Sequence, residues 1–523
     1  MRKIEKRQII KNVSSSWFSL GINVIAGFLL FPYILHRLGD TAFGIWVLIF
    51  SVTGYYGLFD LGIRSSIVRY VSKFTATGDR EELAKLINTS LFTYSCIGVL
   101  TMLVTLVVAS QVDRMFRIPP EFLSTARWLL LMVGASVAIG FPVGIFGGFL
   151  EGLQSFYILN WTNVVSTLLR AALIVLALNR GYGLLTVALI TVVLPLLASL
   201  LRGFLALRLC PVPFGVKYVD RATFRQIANY GGISFMIMVA GRLTFKTDEI
   251  VIGAFMSAAA ITYFNIGARI VDYAGQVVIA LSQIFVPMSS QSDARGDMNR
   301  LRKIFLVGNR VCGFTIFPVC VILLILGKSV IEVWVGKRYI AASYPVLVIM
   351  ILCSTLWFAQ GASGRILFGM SKHGTWAVVT LIEGVSNLIL SIILVRPYGI
   401  IGDALGTAIP LTCSMLFFMP QHLCKKLNIR LRTFVRESYT LPFLLCLPLA
   451  AVLLLMQRWF IPHNYRQLAI QLFIGVTVYG VGLLWTVLTN QALRVGELSL
   501  KGSSLRAESI VVSPPAEAYQ QDV

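Results

Sequence analysis

Four charged residues stand within eight positions of one apolar stretch: Arg242, Lys246, Asp248 and Glu249, in "GRLTFKTDEI". Arg242 and Lys246 are four apart and so share one face of a helix. A charge at the centre of a membrane helix costs roughly 2.5–3.5 kcal/mol on insertion scales, so such residues face a protein interior or a wet cavity and are paired or functional. Guanidinium offers a planar fork for bidentate hydrogen bonds to an oxyanion, and ammonium a point charge. Two cations on one face therefore spell either an anion site or a self-neutralised packing network with the two acids.

Other intramembrane charges fall into similar patterns. Arg269 and Asp272 form an i,i+3 pair. Arg170 has no local acid and lies deep in its stretch; Arg365 also lacks one but is within snorkelling reach of the boundary. Asp60 interrupts "YYGLFDLGIRSSIVRYVS", and Arg64 follows a turn later, a spacing that predicts an ion pair acting as a hinge or gate, with a coupling site for a proton or sodium ion as the alternative. Asp248, Glu249 and Asp272 belong to the same set of gate or coupling candidates. Glu383 and Asn387, four apart, are a further coupling candidate. Asp403 follows "YGIIG", which predicts a helix N-cap.

The elements that must position these charges are membrane helices. The 523-residue chain is 57% hydrophobic and only 13% charged, where a soluble protein of this length carries about a quarter charged residues. Apolar runs of about 20 residues recur along it, which predicts an all-α polytopic membrane protein of about fourteen transmembrane helices, among them 230–255, 375–395, 400–423, 440–457 and 468–489. The net charge of +22 is topological. Basic residues gather in alternate connections: Arg2, Lys3, Lys6, Arg7 and Lys11; Arg64, Arg69, Lys73, Arg80 and Lys85; Arg202, Arg208, Lys217, Arg221 and Arg225; Arg295 to Arg310; Lys425 to Arg436. By the positive-inside rule both termini are cytoplasmic and the membrane is the inner one. No P-loop, dinucleotide fingerprint or metal-ligand spacing is present, so no cofactor, no metal, no nucleic-acid partner and no enzymatic activity are expected.

The chain also repeats. An offset of 218 residues places "RQI" at Arg7 on "RQI" at Arg225, and Ala76, Gly78, Asp79, Leu83 and Lys85 on Ala294, Gly296, Asp297, Leu301 and Lys303. Further on, "RGYGLL" from Arg180 matches "RPYGII" from Arg396. Two parallel six-helix lobes, 1–218 and 219–430, are expected, with a binding site between them. Residues 431–495 would add two more helices, and 496–523 a disordered cytoplasmic tail.

"LGDTAFGIWVLIFSVTGYYGLFDLGIRSSIVRYVS", followed by "GDREELAKLINTS", resembles the Wzx-like polysaccharide transporter family of the multidrug/oligosaccharidyl-lipid/polysaccharide exporter superfamily; "TDEIVIGAFMSAAAITYFNIGARI" resembles its seventh and eighth helices. The resemblance covers about residues 5–425. It implies a two-lobed flippase for lipid-linked oligosaccharides, usually on undecaprenyl pyrophosphate, with membrane lipid, a polysaccharide polymerase and glycosyltransferases as partners. On that reading Arg242, Lys246, Arg269 and Arg170 line a cationic cavity for the pyrophosphate. A small-molecule exporter of the same superfamily and a non-transporting scaffold for polysaccharide synthesis are the alternatives. The charge pattern predicts that a cysteine at Thr77 resists an impermeant thiol reagent in intact cells and reacts after permeabilisation; labelling in intact cells reverses the orientation.

Overall fold

The computed structural model describes residues 6–228, 239, 241–242 and 247–489, and every regular element among them is helical. The first group comprises α1 (Lys6–Leu38), α2 (Asp40–Gly54, continued by a tight 3-10 segment Tyr55–Asp60), α3 (Ile63–Thr77), α4 (Arg80–Ser110), α5 (Pro120–Gly152), α6 (Phe156–Asn179) and α7 (Leu184–Leu209). The second comprises α8 (Asp248–Phe255), α9 (Ala258–Ser282), α10 (Phe285–Ala294), α11 (Met298–Trp334), α12 (Ile340–Ala359), α13 (Gly361–Gly369), α14 (Gly374–Cys413) and α15 (Met419–Leu427). A final hairpin, α16 (Leu441–Trp459) and α17 (Tyr465–Thr489), packs on α11 through Leu326, Cys446, Leu449 and Leu453.

Twelve described spans are long and apolar enough to cross a membrane, and the chain is a multi-pass membrane protein. Two of the fourteen expected spans have no separate counterpart among these. Most of 230–255 lies outside the described residues. The expected pair 375–395 and 400–423 forms one 54-residue run, Gly374–Leu427. Straight, that run would be roughly 80 Å long, far beyond a hydrocarbon core of about 30 Å. It breaks at Gly399, whose φ of 59° and ψ of −140° are non-helical and lie where only glycine sits without strain.

The internal repeat has a local structural counterpart. Gly78 and Gly296 both take left-handed φ, 75° and 66°. The next residue in each copy caps the following helix: Asp79 accepts from the Glu82 amide at 3.1 Å and Asp297 from the Arg300 amide at 2.9 Å. Each cap satisfies an N–H that the first helical turn leaves without a partner.

Within the first lobe α4 packs on α5, α5 on α7 and α1 on α6; within the second, α9 and α11 pack on α12, and α12 and α8 on α14. The lobes meet along α2 and α9. Gly44 permits the approach, since a Cβ there would lie 1.7 Å from the Ala258 carbonyl oxygen. At this end Asp40 ties the lobes. Its Oδ1 accepts from Arg338 Nη2 at 3.0 Å and from the Tyr339 hydroxyl at 2.5 Å, and its Oδ2 accepts from the Tyr263 hydroxyl at 3.2 Å. Thr262 donates to the Asp40 carbonyl at 2.7 Å, and the Trp334 indole to the Phe28 carbonyl at 2.9 Å. Gly44→Val is expected to destabilise the purified protein by about 1–3 kcal/mol, the usual cost of overpacking, read as a lower thermal midpoint; an unchanged midpoint would show that the α2–α9 contact yields.

Candidate functional site

Beneath the Asp40 junction, α1, α2, α6, α7 and α9 enclose a cavity of about 510 Å³ between the lobes. Arg170 from α6, Arg242, Glu249 from α8, and Asn265, Arg269 and Tyr273 from α9 line it. Three of the four cations expected from the sequence are thus brought together from three separate helical segments; Lys246 lies outside the described residues. Arg269 Nη1 sits 3.6 Å from Asp272 Oδ2, so one edge of its guanidinium is loosely neutralised. Among the described residues the guanidinium groups of Arg170 and Arg242 have no hydrogen bond or ion pair. Arg242 reaches across the lobe boundary: a Cβ on Gly57 would meet its Nη2 at 3.2 Å, and one on Gly54 its Nη1 at 3.5 Å. Tyr55 holds the same place, its hydroxyl 2.7 Å from Thr247 Oγ1 and donating to the Arg242 carbonyl at 3.3 Å. Phe43, Trp46 and Phe50 of α2 supply an aromatic wall.

Asp60 and Arg64 do not pair side chain to side chain. Leu61 and Gly62 both take left-handed φ, 50° and 76°, so the helix stops between them and their side chains no longer share a face. Asp60 accepts from the Tyr94 hydroxyl and, at 3.4 Å, from the Arg64 backbone amide. The Arg64 guanidinium instead donates to Glu151 Oε1 at 2.5 Å. Glu151 is an acid in an otherwise apolar run, a signal available in the sequence, but its partner is 87 residues away.

Arg365 stands apart from the central cavity, in a smaller pocket with Trp357, Gln360 and Trp376. Asp403 is not an N-cap. It lies one turn beyond the Gly399 break, wholly buried, and among the described residues neither carboxylate oxygen has a hydrogen-bond partner. Around it is a polar cluster interior to the second lobe. The Thr407 hydroxyl is 2.9 Å from Asp248 Oδ1 and 3.3 Å from Asn387 Oδ1, and Ser391 donates to Asn387 Oδ1 at 3.0 Å. Glu383, also buried, accepts from the Ser414 hydroxyl at 2.5 Å. Carboxylate, amide and hydroxyl oxygens converging in an apolar interior suit a proton or a hard monovalent cation, since an uncompensated buried carboxylate is costly.

A double-mutant cycle on Arg64→Gln and Glu151→Gln should show coupling, because each single change strands the other charge. Asp60→Asn should couple to Arg64→Gln more weakly than Glu151→Gln does in the same thermal-stability measurement; stronger coupling of Arg64 to Asp60 than to Glu151 would reverse the assignment.

The family described as "Polysaccharide biosynthesis protein" matches residues 9–293. The chain is 21% identical over 409 residues, 77% of its own length and 94% of the relative's, to the "Putative O-antigen transporter" of Shigella flexneri. It is 24% identical over 217 residues to the "Probable low-salt glycan biosynthesis flippase Agl15" of Haloferax volcanii, covering 41% of this chain and 46% of that one. Among solved structures, the lipid II flippase MurJ in an inward closed conformation superposes with a TM-score of 0.72 at 18% identity, over 92% of this chain and 99% of that one. The matched family spans more than half of the chain, the motifs in residues 35–90 lie inside that match, and the fold is shared with a solved flippase structure: the chain belongs to the polysaccharide biosynthesis protein family.

Proposed function

We propose that the protein is a carrier, not an enzyme, that moves a lipid-linked glycan on undecaprenyl pyrophosphate from the cytoplasmic to the outer leaflet of the cytoplasmic membrane, by alternating access of lobes 1–218 and 219–430. The observation that carries this reading is the convergence of Arg170, Arg242 and Arg269 on one cavity between the lobes. Three guanidinium groups placed there at a desolvation cost require an anion, and a pyrophosphate offers the bidentate acceptors that guanidinium matches. Lys246, on the Arg242 face by its spacing, would add a fourth cation. The cavity lies between two lobes, the place where parallel-repeat carriers bind their cargo, and the isoprenoid tail can stay in the bilayer while the head enters.

The related proteins support this reading: two are named as an O-antigen transporter and a glycan flippase, and the fold is that of a lipid II flippase. The Asp40 junction would be the outer gate, which must break for the head to leave. The buried cluster of Asp248, Asn387, Ser391, Asp403 and Thr407 would take the coupling proton or sodium ion, since it sits on α8 and α14, and α8 also carries Glu249 into the cavity. Both termini would be cytoplasmic, and the polymerase and glycosyltransferases of the same glycan would be functional partners.

The aromatic wall and Glu249 favour a second reading, an exporter of cationic small molecules. Three arginines against one cavity acid rank it below the first. Export assayed at matched membrane abundance separates them. Arg170→Ala, Arg242→Ala, Arg269→Ala and Lys246→Ala should each lower glycan export roughly tenfold or more, the loss of a charge-assisted hydrogen bond or two, while Arg242→Lys keeps part of it because the fork is lost but the charge remains. Full export by the Arg170→Ala, Arg269→Ala double variant would remove the pyrophosphate site.

A further inference from the structure

The central cavity is not uniformly cationic. Asn265 lies one turn from Arg269 toward the Asp40 junction, and Glu249 of α8 lies beside it. Both line the cavity wall and both are nearly enclosed, 7% and 3% exposed. Asn265 Nδ2 donates to Glu249 Oε1 at 3.3 Å. That contact orients the amide, because a carboxylate can only accept. It leaves Glu249 Oε2 and Asn265 Oδ1, neither of which has a hydrogen-bond partner among the described residues. Two orphaned acceptors side by side are destabilising unless a donor arrives. A pyrophosphate brings acceptors alone and would be repelled by them. Their complement is a group rich in O–H or N–H.

The facing wall completes the chemistry. Phe43, Trp46 and Phe50 run along α2 with ring centroids 6.1 and 5.9 Å apart in succession, and all three line the same cavity. A pyranose presents hydroxyl or acetamido donors around its edge and a flat C–H face, so it can rest on an aromatic ring while its edge meets acceptors. Apolar and aromatic lining with a few placed polar groups is the usual build of a selective small-molecule pocket.

We propose that Glu249 and Asn265 accept hydrogen bonds from the first sugar of the lipid-linked glycan, the residue joined to the pyrophosphate, with Trp46 against its ring. This rests on reading the cavity as a glycan-lipid site and names how that site reads its cargo. Arg269 holds the pyrophosphate one turn from Asn265 on α9, so head and sugar align along the cavity from the cationic to the accepting end. Trp46 belongs to the first lobe and the two acceptors to the second, so the sugar is held by both lobes at once, whereas Arg170 and Arg269 need only the charge.

The test uses the full-length protein in nanodiscs and three probes: undecaprenyl pyrophosphate, and the same lipid bearing glucose or N-acetylglucosamine. The wild type is expected to bind one or both sugar-bearing probes roughly tenfold more tightly than the bare lipid, the scale of hydrogen bonds to a charged group. Glu249→Gln, Asn265→Leu and Trp46→Ala should each bring the ratio of sugar-bearing to bare-lipid affinity close to one, with Trp46→Phe retaining the preference and Glu249→Gln tightening bare-lipid binding because a repelling charge is gone; thermal midpoints verify folding of each variant. Equal binding of all three probes by the wild type overturns the sugar site and leaves the pyrophosphate site standing. Parallel loss of bare and sugar-bearing lipid in Glu249→Gln also overturns it, making Glu249 a counter-ion of the arginines. Failure of the wild type to bind any probe overturns the glycan-lipid reading itself, and the sugar site with it.

Discussion

Much of this molecule follows from the cost of holding charge away from water. In hydrocarbon an arginine needs a partner, a cavity or a route to the headgroups, and the chain uses all three. Arg64 takes Glu151, Arg338 takes Asp40 at the lobe junction, and Arg170, Arg242 and Arg269 turn to the space between the lobes. That space exists because α2 and α9 pack closely at one end, where Gly44 removes the side chain that would hold them apart, and diverge enough elsewhere to leave about 510 Å³.

The same constraint separates two kinds of polar interior. In the central cavity, Arg170 and Arg242, without acid partners among the described residues, face open volume beside Arg269, whose acid is only loosely held, an arrangement that suits an anion. Inside the second lobe the polar atoms face each other. Asp248, Asn387, Ser391 and Thr407 satisfy one another across α8 and α14, and Asp403 lies among them with its carboxylate unmet. The first arrangement fits a large ligand and the second a proton or small ion. The two meet on α8, which bears Asp248 toward the cluster and Glu249 in the cavity lining on adjacent residues.

The junction at Asp40 shows how closure can be strong yet reversible. One carboxylate collects an arginine, two tyrosines and, through its backbone carbonyl, a threonine, all from the second lobe. The Arg338 bond lies at the edge of the bundle, where water can replace it at modest net cost, whereas Tyr339 and Thr262 are buried. A hydrophobic seam of the same area would hold harder and open less readily.

Local patterns in the chain determined a great deal without any structure: helical class from runs of apolar residues, the repeat that sets Gly78 and Asp79 on Gly296 and Asp297, and membership of a polysaccharide biosynthesis family from motifs within residues 35–90. Each depends only on short local stretches or on composition, which is why it is legible. What the tertiary structure alone decided are contacts between distant segments and the places where a helix stops. Asp60 and Arg64 have the spacing of a pair, but left-handed Leu61 and Gly62 turn them apart, and Arg64 finds an acid on another helix. Asp403 has the sequence of a cap but lies one turn past the break at Gly399, among acids and hydroxyls that spacing cannot reveal. Glu249 and Asn265 are 16 residues apart on separate helices, and only their meeting leaves two acceptors, without partners among the described residues, in the wall of one cavity. Burial and partner identity are properties of the packed bundle, set by which helix faces meet, and the linear spacing of charges does not encode them.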